Sequence, residues 1–259
     1  FDVVETTSDG GYILAGRSYS NDGDLIQNYG LNDGWVVKLN SAGTIQWQQT
    51  YGGSKADQVM SIIEAGDHNF IFGGYSESSD GNLSLNYGKS DAWVGKVDAT
   101  NGNLIWNYNY GGSGDDYLYS ICKAIDGSSS IVGAGGTDSP NDYNVSGNHG
   151  KDDIWLITFD ESNGIYTWSN CFGGSDYDAT LSIKTTFDKG YILSGYSYSV
   201  DGNVSENVDP LNGQVWVVKL NNARTIDWEK TYGGPSSDAG LDAFEKSDGG
   251  YFVAAETWG

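Results

Sequence analysis

DGWVVKLNSAGTIQWQQTYGG, residues 33–53, holds the pattern that decides the fold, because the chain repeats it. The pattern returns at 91–112 as DAWVGKVDATNGNLIWNYNYGG, at 153–174 as DIWLITFDESNGIYTWSNCFGG and at 214–234 as QVWVVKLNNARTIDWEKTYGG. Each copy has an apolar, β-branched run, a turn rich in Asn, Asp and Gly, and a second run that ends in Gly-Gly. Each copy therefore predicts a β-hairpin.

A second pair of predicted strands alternates with these hairpins. Two short apolar runs are joined there by a turn such as Ser-Asp-Gly-Gly, and this arrangement recurs at 3–16, 61–74, 120–134, 181–195 and 242–255. No stretch of the chain shows the periodicity of an amphipathic helix. Each repeat therefore holds four short strands.

The repeat length decides between the all-β architectures. Four-stranded units in tandem, none able to bury both faces alone, predict a β-propeller of four-stranded blades. The spacing of about 60 residues exceeds the ~40–50 residues of common propeller repeats, and a long connection before each hairpin accounts for the excess. A β-solenoid is the alternative, although its coils are usually shorter. The predicted repeats are 1–57, 58–116, 117–178, 179–238 and a partial 239–259.

This count gives four full blades plus half of a fifth in a single domain. The hairpin that would complete the fifth blade is not in the sequence. We therefore expect this chain to be a fragment of a longer protein or assembly.

Composition excludes several classes of partner. Lys and Arg number 13 against 35 Asp and Glu, and the formal net charge is −22. Such a surface repels phosphate groups, so we expect no nucleic acid and no bare anionic lipid as partner. No apolar run reaches the ~18 residues of a membrane span, so we expect no direct membrane insertion. The acidity suits a soluble protein that binds a cation or a basic partner.

One aspartate follows the Gly-Gly pair in every repeat. The four positions are Asp57, Asp116, Asp178 and Asp238. Because they lie between the last strand of one blade and the first strand of the next, we expect them on one rim. They either accept N–H groups of the turn or form a ring of carboxylates that binds a cation or a basic ligand.

The connection before each hairpin is also acidic, and it forms a candidate calcium site. Alternating oxygen side chains in this connection resemble calcium-binding loops, although the acidic twelfth position of an EF-hand is missing. Hydrogen bonds that close the loop are the alternative. The candidate calcium ligands are Asp22, Asp24, Asp33, Asp80, Asp91, Asp153 and Asp201.

Symmetry separates scaffold from site. Eight of the 9 tryptophans occupy two repeat positions, Trp35, Trp93, Trp155 and Trp216 in one set and Trp47, Trp106, Trp168 and Trp228 in the other. We expect them to dock one blade on the next rather than to bind a ligand.

The loop 138–143 departs from its counterparts in the other repeats, which makes Asp142 and Tyr143 candidate binding residues.

The repeat resembles a long propeller repeat of exported bacterial surface proteins, often carried by the type IX secretion route. The resemblance rests on the DG…NYG…DGWVVKL…GTIQW…YGGS…D pattern together with SDGGYILAG, and it covers nearly the whole chain. The segment VDATNGNLIW at 97–106 is also similar to the tryptophan-docking motif of quinoprotein propellers. The resemblance implies an extracellular or cell-surface module, and it carries over no catalytic residue.

Three functions are compatible with this sequence. The first is a non-enzymatic module for structural display or for binding a protein or a glycan. The second is a carbohydrate-active enzyme on a propeller scaffold, which would need one carboxylate pair outside the symmetry. The third is an inert spacer in a large adhesin. No catalytic residue stands out in the sequence, so we favour the first.

Overall fold

The computed structural model describes residues 2–23, 25, 27–207, 209 and 211–258, and these residues form strands β1 to β18 without a helix. The first sheet contains β1 (Asp2–Glu5), β2 (Tyr12–Ser18), β3 (Asp33–Leu39) and β4 (Ile45–Tyr51). The second contains β5 (Asp57–Glu64), β6 (Phe70–Ser76), β7 (Asp91–Val97) and β8 (Leu104–Tyr110). The third contains β9 (Asp116–Lys123), β10 (Ser130–Thr137), β11 (Asp153–Asp160) and β12 (Tyr166–Phe172).

The fourth sheet and a strand pair complete the described chain. The fourth sheet contains β13 (Asp178–Thr185), β14 (Tyr191–Ser197), β15 (Gln214–Leu220) and β16 (Ile226–Tyr232), and the pair is β17 (Ser237–Glu245) with β18 (Tyr251–Trp258). In every sheet the strands lie in chain order. The prediction of an all-β propeller with four four-stranded blades and half of a fifth is confirmed. None of the described residues forms a helix long and apolar enough to cross a membrane.

The chain groups into two compact units. The first comprises residues 1–118 with 160–165, and the second comprises 119–159 with 166–259. The first two blades therefore belong to the first unit, and the fourth blade and the β17–β18 pair belong to the second. The division passes through β9 and through the turn between β11 and β12.

Glycine opposite tryptophan is a recurring device inside the blades. Trp93 in β7 pairs with Gly74 in β6, and Trp216 in β15 pairs with Gly195 in β14. A Cβ atom on Gly195 would lie 2.0 Å from the carbonyl oxygen of Ala179, so no larger residue fits. This close approach occurs where the first strand of the blade shifts register as a β-bulge. The side chain of Trp216 is fully buried.

The second set of tryptophans docks consecutive blades, as predicted. In the first unit, Trp47 of the first blade donates its indole N–H to the carbonyl oxygen of Ala99 in the second blade at 2.8 Å. Gly102, at φ 74°, lies directly against the Trp47 ring. In the second unit, Arg224 replaces this glycine at φ 61° and places its guanidinium 5.0 Å from the centre of the Trp168 ring. A cation–π contact there takes the place of backbone packing.

Buried lysines tie the strands of three blades to their inner turns, and sequence reasoning did not predict this. Lys38, Lys96 and Lys219 are each 3% exposed. Their ammonium groups lie 2.8 Å from carboxylates of turn residues in the same blade, namely Asp9, Asp67 and Asp188. The hydrogen bond from Lys38 lowers the pKa of Asp9 to about 2, and the hydrogen bond from Lys219 lowers the pKa of Asp188 to about 2.

Candidate functional site

A buried pair of aspartates recurs where one blade passes to the next. Asp33 begins β3, Asp57 begins β5, and both side chains are fully buried. The first glycine of the Gly-Gly pair separates them. A Cβ atom on Gly52 would lie 2.5 Å from Asp33 Oδ1 and 2.7 Å from Asp57 Oδ2. Glycine at this position therefore lets two carboxyl groups converge.

The same arrangement is present twice more among the described residues. Asp91 and Asp116 converge at Gly111 in the first unit, and Asp153 and Asp178 converge at Gly173 in the second. We call these three arrangements the carboxylate pairs; their members are Asp33 with Asp57, Asp91 with Asp116 and Asp153 with Asp178.

The two members of a pair have different hydrogen bonds. Asp57 accepts hydrogen bonds from the backbone N–H of Gly53 at 2.7 Å, from the Ser78 hydroxyl at 2.8 Å and from the Ser76 hydroxyl. Asp33 accepts the backbone N–H of Tyr29 at 2.5 Å through Oδ2, while its buried Oδ1 has no hydrogen-bond partner in the described part of the chain. The Oδ1 atoms of Asp91 and Asp153 are in the same situation. In the first pair, Asp57 thus has the donors that a carboxylate needs, and Asp33 has few. In the third pair, the buried Oδ1 of Asp178 also has no hydrogen-bond partner among the described residues.

Burial and the neighbouring carboxylate raise the pKa of the poorly solvated aspartates. Burial raises the pKa of Asp33 to about 6 and that of Asp91 to about 7, and the negative charge of the partner aspartate adds to each shift. Burial also raises the pKa of Asp178 to about 6 and shifts the pKa of Asp153 upward. Protonation of one member of a pair would relieve the repulsion between its two carboxyl groups.

The fourth repeat carries an amide in place of one carboxyl group. Gln214 occupies the position of Asp33, and its side chain approaches Gly233 together with Asp238. Here the pKa of Asp238 is lowered by hydrogen bonds from Thr257 and from the N–H of Gly234. A neutral amide therefore fits the position that the other repeats fill with a weakly solvated acid.

These observations place the aspartates that the sequence singled out. The predicted rim residues Asp57, Asp116 and Asp178 and the predicted calcium ligands Asp33, Asp91 and Asp153 meet in the carboxylate pairs, and Asp238 meets Gln214. Asp80 and Asp201 each accept a backbone N–H of the preceding Gly-Gly loop at 2.7 Å, from Ser54 and Ser175. Asp22 lies exposed in its loop, and Asp24 falls outside the described residues. In the described ranges, no group of three or more His, Cys, Asp or Glu side chains is placed to hold a metal ion.

The calcium hypothesis can be tested by a melt. Because Asp80 and Asp201 already close their loops through backbone N–H groups, we expect the same midpoint in excess calcium and in EDTA. A calcium ion at 100 times its dissociation constant would add about 2.7 kcal/mol and raise the midpoint visibly. Such a rise, lost in Asp80→Asn, would assign these loops to calcium instead.

Asp142 and Tyr143, the predicted binding residues of the third repeat, lie in the loop between β10 and β11. Tyr143 is 69% exposed and has φ 45°, in the left-handed region that favours glycine. The first, second and fourth repeats place Gly23, Gly81 and Gly202 there, with φ between 65° and 71°. The third repeat thus presents an aromatic ring where the others have glycine. Tyr143 therefore remains a candidate binding residue.

An aromatic pocket on the second unit was not predicted. It has a volume of about 690 Å³ and opens at the surface near β14, β17 and β18. Four aromatic side chains line it, namely Tyr177, Tyr196, Tyr198 and Trp258. We call this feature the aromatic pocket.

The tyrosines of the aromatic pocket form a packed cluster. The Tyr198 ring meets the Tyr177 and Tyr196 rings edge to face, with centroids 6.4 and 6.1 Å away. The Lys151 ammonium lies 4.5 Å from the centre of the Tyr177 ring and 2.8 Å from the Asp176 carboxylate. These contacts hold the rings in a fixed arrangement.

The sequence contains one signal for this pocket, a tryptophan outside the repeated tryptophan positions. Trp258 is the one tryptophan outside the two repeat positions. It occupies the position in the fifth repeat that Tyr198 holds in the fourth and Tyr19 holds in the first, where the second and third repeats have Glu77 and Asp138. Only the fold shows that Tyr177, which precedes β13, lies beside them.

No protein-family model and no curated protein matches the chain. Several solved structures are similar to it in backbone. The quinohemoprotein alcohol dehydrogenase from Comamonas testosteroni is 12% identical with a TM-score of 0.47, and the alignment covers 95% of this chain and 38% of that one. A mutant of the Synechocystis apocarotenoid oxygenase is 11% identical with a TM-score of 0.47, covering 93% and 50%.

BamB from Moraxella catarrhalis is 12% identical with a TM-score of 0.32, covering 97% of this chain and 83% of that one. The chain thus spans 38% and 50% of the length of the first two proteins. The propeller fold rests on the sheets of the chain itself, and nothing about activity follows from these similarities.

Proposed function

We propose that this chain is a non-enzymatic binding module of a secreted or cell-surface bacterial protein, and that its ligand, a glycan or a protein, binds in the aromatic pocket. The resemblance of its repeats to those of type IX secretion cargo supports the location. The observation that carries the binding function is the pocket, which gathers four aromatic side chains on one unit. Concave, aromatic-lined surfaces with a few polar groups are typical binding sites.

The carboxylate pairs argue against the alternative function, a carbohydrate-active enzyme. A glycosidase needs one pair of carboxyl groups that reaches its substrate. The pairs here recur in three repeats, and their aspartates are fully buried. Their symmetry and burial favour a structural role, which supports binding over hydrolysis.

The pocket can be tested by matched substitutions. We expect a ligand found by a thermal-shift screen of glycans and peptides to stabilise the wild type and Tyr19→Ala, but not Tyr198→Ala. Tyr19 is the control because it holds the position of Tyr198 in the first repeat and is 66% exposed. Removal of the central ring of the cluster costs both contact area and the fixed arrangement of its neighbours.

A ligand that stabilises Tyr198→Ala as well as the wild type would place the binding site elsewhere. A complete screen without any stabilising ligand would favour the spacer function. Melting of Tyr198→Ala without ligand checks that this variant is folded.

A further inference from the structure

We infer that the aromatic pocket selects an uncharged glycan, whose sugar rings stack on Trp258 and Tyr198 while their hydroxyl groups bind Glu256 and the tyrosine hydroxyls. This inference rests on the proposed binding function, since it specifies the ligand of the same pocket. The stacking surface, the polar groups and the charge of the pocket each support it.

The pocket offers an exposed stacking surface. Trp258 is 58% exposed, and its indole makes no ring contact with the described residues. One face of a pyranose ring carries C–H groups, which are weakly positive and pack well on the negative face of an aromatic ring. The nearby tyrosine cluster is already packed edge to face, so little order is lost when a ligand arrives.

The polar groups of the pocket match hydroxyl groups. Among the described residues, no hydrogen bond joins the hydroxyls of Tyr177, Tyr196 and Tyr198, or the carboxylate of Glu256, to another group of the chain. A phenolic hydroxyl both donates and accepts, whereas a carboxylate accepts. A sugar hydroxyl can satisfy both kinds of group, which gives the pocket polar contacts that apolar ligands would leave unused.

The charge of the pocket opposes anionic glycans. Three carboxylates line it, Asp176, Asp238 and Glu256, against the single ammonium of Lys151. That ammonium is already paired with Asp176 and stacked on Tyr177, so the pair adds no net positive charge to the pocket. A uronic or sulfated sugar would therefore meet net negative charge in the pocket and on a chain of net charge −22.

A basic peptide is the other ligand that the charge would admit, and the structure favours it less. Asp176 is neutralised by Lys151, and Asp238 accepts the N–H of Gly234 at 2.9 Å. Lys151 also occupies the cation–π position on Tyr177. Only Glu256 then remains for an incoming cation, whereas three hydroxyls remain for a sugar.

Calorimetric titration of the whole chain tests this selection. The probes are neutral trisaccharides of glucose, mannose and N-acetylglucosamine, a trisaccharide of galacturonic acid, and a lysine-rich peptide. We expect at least one neutral trisaccharide to bind and the galacturonic acid trisaccharide not to bind. Trp258→Ala and Tyr198→Ala should weaken binding at least tenfold, Glu256→Gln about tenfold, and Tyr19→Ala should leave it unchanged.

The outcomes separate this inference from the proposed function. Peptide binding that depends on Tyr198, without binding of any neutral trisaccharide, would contradict the inference that the ligand is a glycan. The proposed binding function of the pocket would still hold. If Trp258→Ala and Glu256→Gln both leave the binding of a neutral trisaccharide unchanged, the glycan does not bind in the aromatic pocket. Binding of the galacturonic acid trisaccharide with equal affinity would overturn the selection by charge. Glu256 is exposed, so Glu256→Gln keeps the test valid if an aromatic variant fails to fold.

Discussion

Replacing Trp216 by alanine is expected to lower the free energy of unfolding by about 3–5 kcal/mol. The side chain is fully buried in the second unit, where it belongs to an apolar cluster with Ile183 and Leu193. Its indole N–H also donates to Glu229 at 2.9 Å. Alanine would leave a cavity opposite Gly195, a residue that has no side chain to fill it. Urea unfolding followed by circular dichroism measures the loss.

Trp258→Ala is the matched control for this substitution. Trp258 is also at a strand position, but it is 58% exposed. We expect its removal to change the stability by no more than about 0.5 kcal/mol, as is usual for surface substitutions. Similar losses in both variants would show that the two tryptophans are equally structural, and this would contradict the distinction between repeat positions and the aromatic pocket.

The fold could be predicted because its determinants are local and repeated. Each hairpin carries its own strand pattern and its own turn, and the same tryptophans recur in every copy. The docking function of Trp47 could be predicted from symmetry alone, because a residue present in all repeats is expected to stabilise the fold rather than to bind a ligand. Repetition thus compensates for the weakness of each short strand signal.

The carboxylate pairs could not be predicted because their members are distant in sequence. Asp33 and Asp57 belong to separate motifs, one before a hairpin and one after it, and each was interpreted by itself. The register of β3 and the start of β5 bring them together at Gly52. The sequence shows that the Gly-Gly pair forms a turn. Only the structure shows that its first glycine also leaves room for two carboxyl groups.

The buried lysines and the aromatic pocket were missed for a related reason. Lys38 is the one charged residue in the apolar run of its hairpin, and only the position of the Asp9 turn explains its burial. Tyr177 and Trp258 come from a loop and a strand 81 residues apart, so no sequence window contains both. Contacts that occur in only some of the repeats, between residues far apart in sequence, are therefore the part of this molecule that sequence patterns describe least.

Stability is expected to decrease as the pH rises from about 4 to about 7. Burial raises the folded-state pKa of Asp33 to about 6 and that of Asp91 to about 7, from 3.8. In this window the folded chain holds protons that the unfolded chain has released, so raising the pH favours unfolding. Below pH 4 the trend reverses, because Asp9 and Asp188, whose pKa values are lowered to about 2, then lose their charge beside buried lysines.

Asparagine substitutions separate the two members of a pair. Asp91→Asn imitates the protonated acid, as Gln214 does in the fourth repeat, and we expect it to stabilise the chain at pH 7.5 by about 1–2 kcal/mol and to flatten the pH dependence. Asp57→Asn should destabilise at every pH, because Asp57 accepts hydrogen bonds from Gly53, Ser76 and Ser78. Melting from pH 4 to 8 measures both variants. A wild-type midpoint that rises between pH 5 and 7.5, or an unchanged slope in Asp91→Asn, would show that the pairs do not share a proton.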